Sequence, residues 1–124
     1  MSEKRELNIR LPYLELIADG TKTVEVRVGY PRMRAIRAGQ ELTFVSGARR
    51  VPTRVVRVSE YESFEAMLDH EDPRSIGGDL GENRDELLAV IRSIYPPEKE
   101  RLGVLAIEIE RQAGANAEPA PRQP

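Results

Sequence analysis

The feature that most constrains the fold of this chain is a helix stop that runs, within three residues, into a charged strand: Gly20-Thr21-Lys22-Thr23-Val24-Glu25-Val26-Arg27. Read at period two, Val24, Val26 and Val28 share one face, while Thr23, Glu25 and Arg27 share the other. The valine face belongs to a core. Placing Lys22, Glu25 and Arg27 within one turn and strand brings an ammonium, a carboxylate and a guanidinium close together, and such a trio can bind a phosphate, hold a base edge, or tune the pKa of one member. Spacing alone also fits a solvated antiparallel strand with a mixed-charge outer face, and both readings stand at this point.

The surrounding elements follow from local patterns. Glu6 to Arg10 alternates as a first strand, with Leu7 and Ile9 inward. Pro12 suits the first position of a short helix with a Tyr13, Leu14, Leu16, Ile17 stripe, and Gly20 is placed to close it in a left-handed cap. Tyr30-Pro31 breaks the chain, one further turn can follow, and Glu41 to Ser46 reads as a strand with Leu42 and Phe44 on one face. Gly47-Ala48 forms a hairpin loop before a long β-rich run from Arg50 to Tyr61. In that run Pro52 demands an edge or irregular point, and the slip in alternation predicts a bulge near Val55-Val56.

Ser63 is placed as the N-cap of a helix with Phe64, Met67 and Leu68 inward. Ser75 to Gly81 reads as a glycine-rich loop, without the Gly-Lys-Ser/Thr of a nucleotide P-loop. Asn83 with Glu86 predicts a capping box for a longer helix whose Leu87, Leu88, Ile91 and Ile94 face inward, stopped by Tyr95-Pro96-Pro97. Gly103 onward reads as a strand apolar on both faces, hence central in its sheet. The expected architecture is a single α+β domain over residues 1–111, a small, mostly antiparallel barrel with two or three flanking helices. A disordered tail is expected over 112–124.

The composition is that of an ordinary soluble protein: 32% of the 124 residues are charged and 40% apolar. There is no cysteine, so no disulfide framework or thiolate metal site, and the lone His70 without partners makes no metal site. No apolar run is long enough to span a bilayer and the N-terminus has no apolar h-region, so a cytoplasmic protein with no membrane partner is expected. The net charge of -2 hides an asymmetry. Between Arg27 and Arg57, eight arginines face the single acid Glu41, a balance of +7; between Glu60 and Glu86, ten acids face Arg74 and Arg84, a balance of -8. Arginine without lysine favours planar, bidentate contact with phosphate or a base edge, although an arginine-rich genome gives the same bias.

Gly20-x-Lys22-x-x-Glu25-x-Arg27 is similar to the signature of the ASCH domain family, which has a PUA-like β-barrel fold. Pro12 to Ile17, Tyr61 to Leu68, the Ile94-Tyr95 pair and Gly103 to Ile107 also resemble that family in the right order. The resemblance implies that Lys22, Glu25 and Arg27 line a cleft between barrel and helices that takes RNA or a nucleotide; Tyr95 is expected at the ligand, and Arg32, Arg34 and Arg54 of the basic stretch are expected on phosphates. No cofactor and no metal are implied.

Some small bacterial members of the family are amidohydrolases that deacetylate N4-acetylcytidine, the motif lysine activating a threonine with help from a glutamate, and one class is a ribonuclease. Glu25 stands where those amidohydrolases carry the threonine. If this chain is a hydrolase, the resemblance points to Lys22 and Glu25, with the helping acid at Glu71, Asp79 or Glu82 and Glu82 taken as the candidate.

Overall fold

The computed structural model describes residues 4–79 and 83–112. In chain order its strands are β1 (Lys4–Asn8), β2 (Val24–Val28), β3 (Glu41–Ser46), β4 (Arg49–Tyr61) and β5 (Val104–Arg111). The helices are α1 (Leu11–Ala18), α2 (Pro31–Arg34), α3 (Phe64–His70), α4 (Pro73–Gly77) and α5 (Arg84–Ile94), and a 3-10 helix spans Pro97–Leu102.

The strands make one sheet in the order β1-β3-β4-β5-β2, curled as a half-barrel. Three ladders are antiparallel and one, β1 against β3, is parallel. The expected α+β, mostly antiparallel architecture is therefore the observed one. The ends of the curl, β1 and β2, share no ladder, and a side chain spans them: Arg27 Nη2 donates to the Asn8 carbonyl at 2.8 Å. β5 is central, as its two apolar faces require, between β4 and β2.

Because both faces of the sheet are covered, the core divides in two. On one side Leu7, Leu14, Ile17, Phe44 and Val55 pack with Leu105 and Ile107; on the other Val24, Val26 and Val28 pack with Phe64, Met67, Leu87, Ile91, Val104 and Ala106. The alternate residues of β5 thus serve opposite cores. The predicted bulge falls as a register shift between Val55 and Arg57, and it leaves Val56 exposed. Pro52 lies beyond the β4·β5 ladder, which begins at Thr53.

The caps follow the sequence. Gly20 takes φ 87° at the end of α1, a conformation that a Cβ disfavours. Ser63 Oγ accepts from Ala66 N at 3.0 Å, and Asn83 Oδ1 from Glu86 N at 3.0 Å.

Four expectations differ. The stretch read as a glycine-rich loop begins inside a helix, because Asp72 caps Pro73–Gly77 by accepting from Arg74 N at 3.0 Å. Pro97–Leu102 forms a 3-10 helix that the Pro-Pro pair concealed. Ile94 is not core but 41% exposed. Gln112, expected to open the tail, donates through Nε2 to Thr53 O at 3.2 Å; residues 113–124 lie outside the described residues.

Candidate functional site

The turn after α1 sends a lysine inward. Lys22 N donates to Leu16 O at 3.0 Å and Thr21 N to Asp19 Oδ1 at 2.8 Å, so the main chain folds back under the helix before β2 begins. The Lys22 side chain is 3% exposed, and its Nζ donates to Val24 O at 2.8 Å and Ile76 O at 2.7 Å and lies 3.1 Å from Glu25 Oε1. Three oxygen acceptors match the three donors of an ammonium. Lys22 therefore ties β2 to the end of α4 as well as to the carboxylate. Burial pulls its ammonium below the ordinary value of 10.5, and Glu25 opposes that pull.

Glu25 occupies the face of β2 opposite the valines, yet it is only 7% exposed. The solvated-strand reading of this face is thereby corrected: the face looks into a pocket walled by helices, not into bulk water. Arg27 Nε donates to Glu25 Oε2 at 2.5 Å, so each carboxylate oxygen is braced by a different cation. Burial alone would push the Glu25 carboxyl up, but Lys22 and Arg27 outweigh it and hold it below its ordinary value. Arg27 Nε and Nη2 are both committed, and Nη1 has no partner among the described residues.

These groups form one side of a pocket of about 360 Å³. Asn8, Ile9 and Arg10, at the end of β1, line it together with Tyr13 of α1, and Ile76 closes it beside Lys22. The opposite wall is the apolar stripe Leu87, Val90, Ile91 and Ile94 of α5, continued by Tyr95. Burial pushes the Tyr95 phenol up. Lys22 Nζ lies 5.8 Å from the centre of the Tyr13 ring, within reach of a cation-π contact.

Four of the expected site residues, Lys22, Glu25, Arg27 and Tyr95, thus meet in one pocket. Arg32, Arg34 and Arg54 do not line it. Arg34 forms a two-pronged pair with Glu60, at 2.8 and 2.6 Å, and also donates to Leu102 O. Arg54 Nη1 donates to Gly39 O at 2.8 Å, and Arg32 is exposed on α2.

Among the acids weighed as a helping group, Glu71 is bound through both oxygens by Arg57, at 2.8 and 2.9 Å, and accepts from the Tyr61 hydroxyl at 2.6 Å. Asp79 is exposed and Glu82 lies outside the described residues. Sequence reasoning passed over Asn8, Arg10, Val90 and Tyr13 as pocket residues. The available signal was the strand-to-helix junction at Arg10-Leu11-Pro12, which returns the chain to the motif. The described residues hold no group of acids and histidines that could bind a metal, and no helix among them is long and apolar enough to cross a membrane.

Comparison with known proteins gives a consistent picture. The sequence model of the ASCH domain matches residues 7–113. The crystal structure of the hypothetical protein PH0355 is similar, with 32% identity and a TM-score of 0.81 over 89% of this chain and 100% of that one. The solution structure of PF0455 from Pyrococcus furiosus is 31% identical, with a TM-score of 0.67 over 88% of this chain and 97% of that one. EF3133 from Enterococcus faecalis V583 shares the fold at 14% identity, with a TM-score of 0.52 over 90% of this chain and 80% of that one. None of the curated proteins matches significantly. With the motif, the half-barrel and the family match in agreement, this chain belongs to the ASCH domain family.

Proposed function

We propose that the protein is a binding module of the cytoplasm whose pocket takes a nucleoside, either as a free nucleotide or as an unpaired residue of RNA. The observation that carries this reading is Glu25, a buried carboxylate that lines an otherwise largely apolar, aromatic-edged pocket with a cation on each oxygen. A carboxylate held ionised is a pure acceptor, suited to the amino group of a base. Arg27 Nη1 is a donor beside it, suited to the adjacent carbonyl or ring nitrogen. The α5 stripe, Tyr13 and Tyr95 offer apolar and aromatic surface to the flat faces of a base. The volume is at the small end of ligand pockets and suits one nucleoside rather than a stack of bases.

The second reading, hydrolysis, has weaker support. Among the described residues no serine, threonine, cysteine or histidine lines the pocket, so the hydroxyl nucleophile of the family's amidohydrolases has no counterpart among them. Glu25 is the remaining base on water, and a carboxylate stabilised by two cations is a poor one. Lys22 would have to give up one of its three oxygen partners to act on a substrate.

The test is calorimetric titration with the four nucleosides and a short single-stranded RNA. Binding that Glu25→Ala weakens at least about tenfold is expected, as befits the loss of a hydrogen bond to a charged group. Turnover of N4-acetylcytidine by the unmodified protein, abolished by Lys22→Ala, would instead establish the hydrolase. Absence of binding by nucleosides, nucleotides and RNA alike would dismiss the reading.

A further inference from the structure

The arginines between Arg27 and Arg57 read in sequence as a phosphate-binding surface, but most of them are occupied. Arg34 holds Glu60, Arg49 holds Glu15, Arg50 holds Glu6, and Arg57 holds both Glu71 and Glu108. A phosphate arriving at these positions would have to displace a carboxylate already in place. The local balance of +7 is thus largely cancelled by acids brought in from elsewhere in the chain.

Arg10 is different. It lies on the pocket wall, its residue is exposed, and its side chain makes no hydrogen bond or ion pair among the described residues. It precedes α1, and the first turn of that helix holds no acid, so no carboxylate competes for the guanidinium from that side. Among the described residues the charges along the pocket are also unbalanced, Arg10, Lys22 and Arg27 standing against Glu25. Lys22 is spent on Glu25 and on main-chain carbonyls and Arg27 keeps only Nη1 free, which leaves Arg10 as the cation with a full set of free donors. An unpaired guanidinium at the rim of an apolar pocket suits the anionic end of a ligand whose flat end reaches the floor.

We infer that Arg10 binds the phosphate of the ligand, so that the pocket selects a phosphorylated nucleoside over the nucleoside itself. The inference rests on the nucleoside reading above and adds to it the ligand's charge. The phosphate belongs either to a free 5′-monophosphate or to an RNA chain, and the two share the chemistry that Arg10 recognises.

The experiment compares the four nucleosides, their 5′-monophosphates and the matching dinucleoside monophosphates by calorimetry, on the unmodified protein and on the Arg10→Gln, Arg10→Lys and Arg101→Gln variants. The unmodified protein should favour the monophosphate over the nucleoside by about tenfold, the scale of one charge-assisted hydrogen bond. Arg10→Gln should abolish that preference, the monophosphate then binding no more tightly than the nucleoside. Arg10→Lys should keep part of it, since lysine retains the charge without the fork. Arg101→Gln, an exposed arginine outside the pocket, should change nothing. Dinucleotides bound as tightly as monophosphates would assign the phosphate to RNA, and monophosphates alone to free nucleotide; both support the role of Arg10. Nucleoside binding without a phosphate preference, or a preference that survives Arg10→Gln, would overturn the assignment of Arg10 alone. Failure of every ligand to bind the unmodified protein would overturn the nucleoside reading with it. Arg10 is exposed, so its variants should fold, and a melting curve checks that they do.

Discussion

Lys22 Nζ lies 3.1 Å from Glu25 Oε1, with only 3% and 9% of the two side chains exposed. Little water reaches either charge, so removing one strands the other. Glu25→Gln, which keeps the shape and deletes the charge, should lower stability by about 3 to 5 kcal/mol, as when a buried pair is broken from one side. Adding Lys22→Met should recover part of that loss, because the buried ammonium is then no longer left without its carboxylate, while Arg27 still loses its partner. Denaturant midpoints of the two single variants and the double variant measure the coupling. Strict additivity would mean that the two charges do not sustain each other.

Stability should fall in acid through two carboxylates. Glu71 is held below its ordinary value of 4.5 first by its hydrogen bonds from Arg57, and Glu25 is held below the same value because Lys22 and Arg27 outweigh the upward push of burial. Each binds its proton less readily folded than unfolded. Their contribution is therefore fully present above pH 4.5 and is lost as the pH falls from there through the folded values. Urea midpoints taken from neutral pH down to about pH 3 should decline over that window. Arg57→Gln should remove the share that belongs to Glu71, and an unchanged profile in that variant would assign the decline elsewhere.

Ile94 sits on the pocket wall at 41% exposure, so its role is separable from folding. Ile94→Ser should change stability by about 0.5 kcal/mol or less, as surface substitutions do. It should weaken nucleoside binding by about 1 kcal/mol, because the ligand then covers less apolar surface. A variant that melts early yet binds normally would return Ile94 to the core.

Arg27 joins Glu25 to the Asn8 carbonyl and so ties β2 to β1 where no ladder does. Lysine has a single head on a flexible stem and cannot reproduce both interactions. Arg27→Lys should therefore destabilise the protein by about 1 to 3 kcal/mol, the range for removing a charge-assisted bond. Asn8→Ala, which leaves the main-chain carbonyl in place, should melt within about a degree or two of the unmodified protein. If it melts as early as Arg27→Lys, the seam depends on the Asn8 side chain instead.

What the sequence by itself determined is what local geometry controls. Alternation placed β2 and β3, a run apolar on both faces placed β5, the slip at Val55-Val56 placed the bulge, and Gly20, Ser63 and Asn83 marked where helices end and begin. Each depends on neighbours a few residues away, where backbone stereochemistry allows few answers. The motif also announced that Glu25 and Arg27 belong together, because two positions along a strand return to the same face, and it set Lys22 in the turn just before them.

Only the tertiary structure decided what those residues face. The pocket closes because α5, some sixty residues later in the chain than β2, lays its apolar stripe opposite Glu25. Charge by itself does not reveal which arginines are free, since partners such as Glu60 for Arg34 and Glu108 for Arg57 arrive from 26 and 51 residues away. Ile94 shows the same limit: helical spacing puts it in line with Leu87 and Ile91, but as the last residue of α5 it stays exposed, an apolar side chain that walls a pocket instead of filling a core.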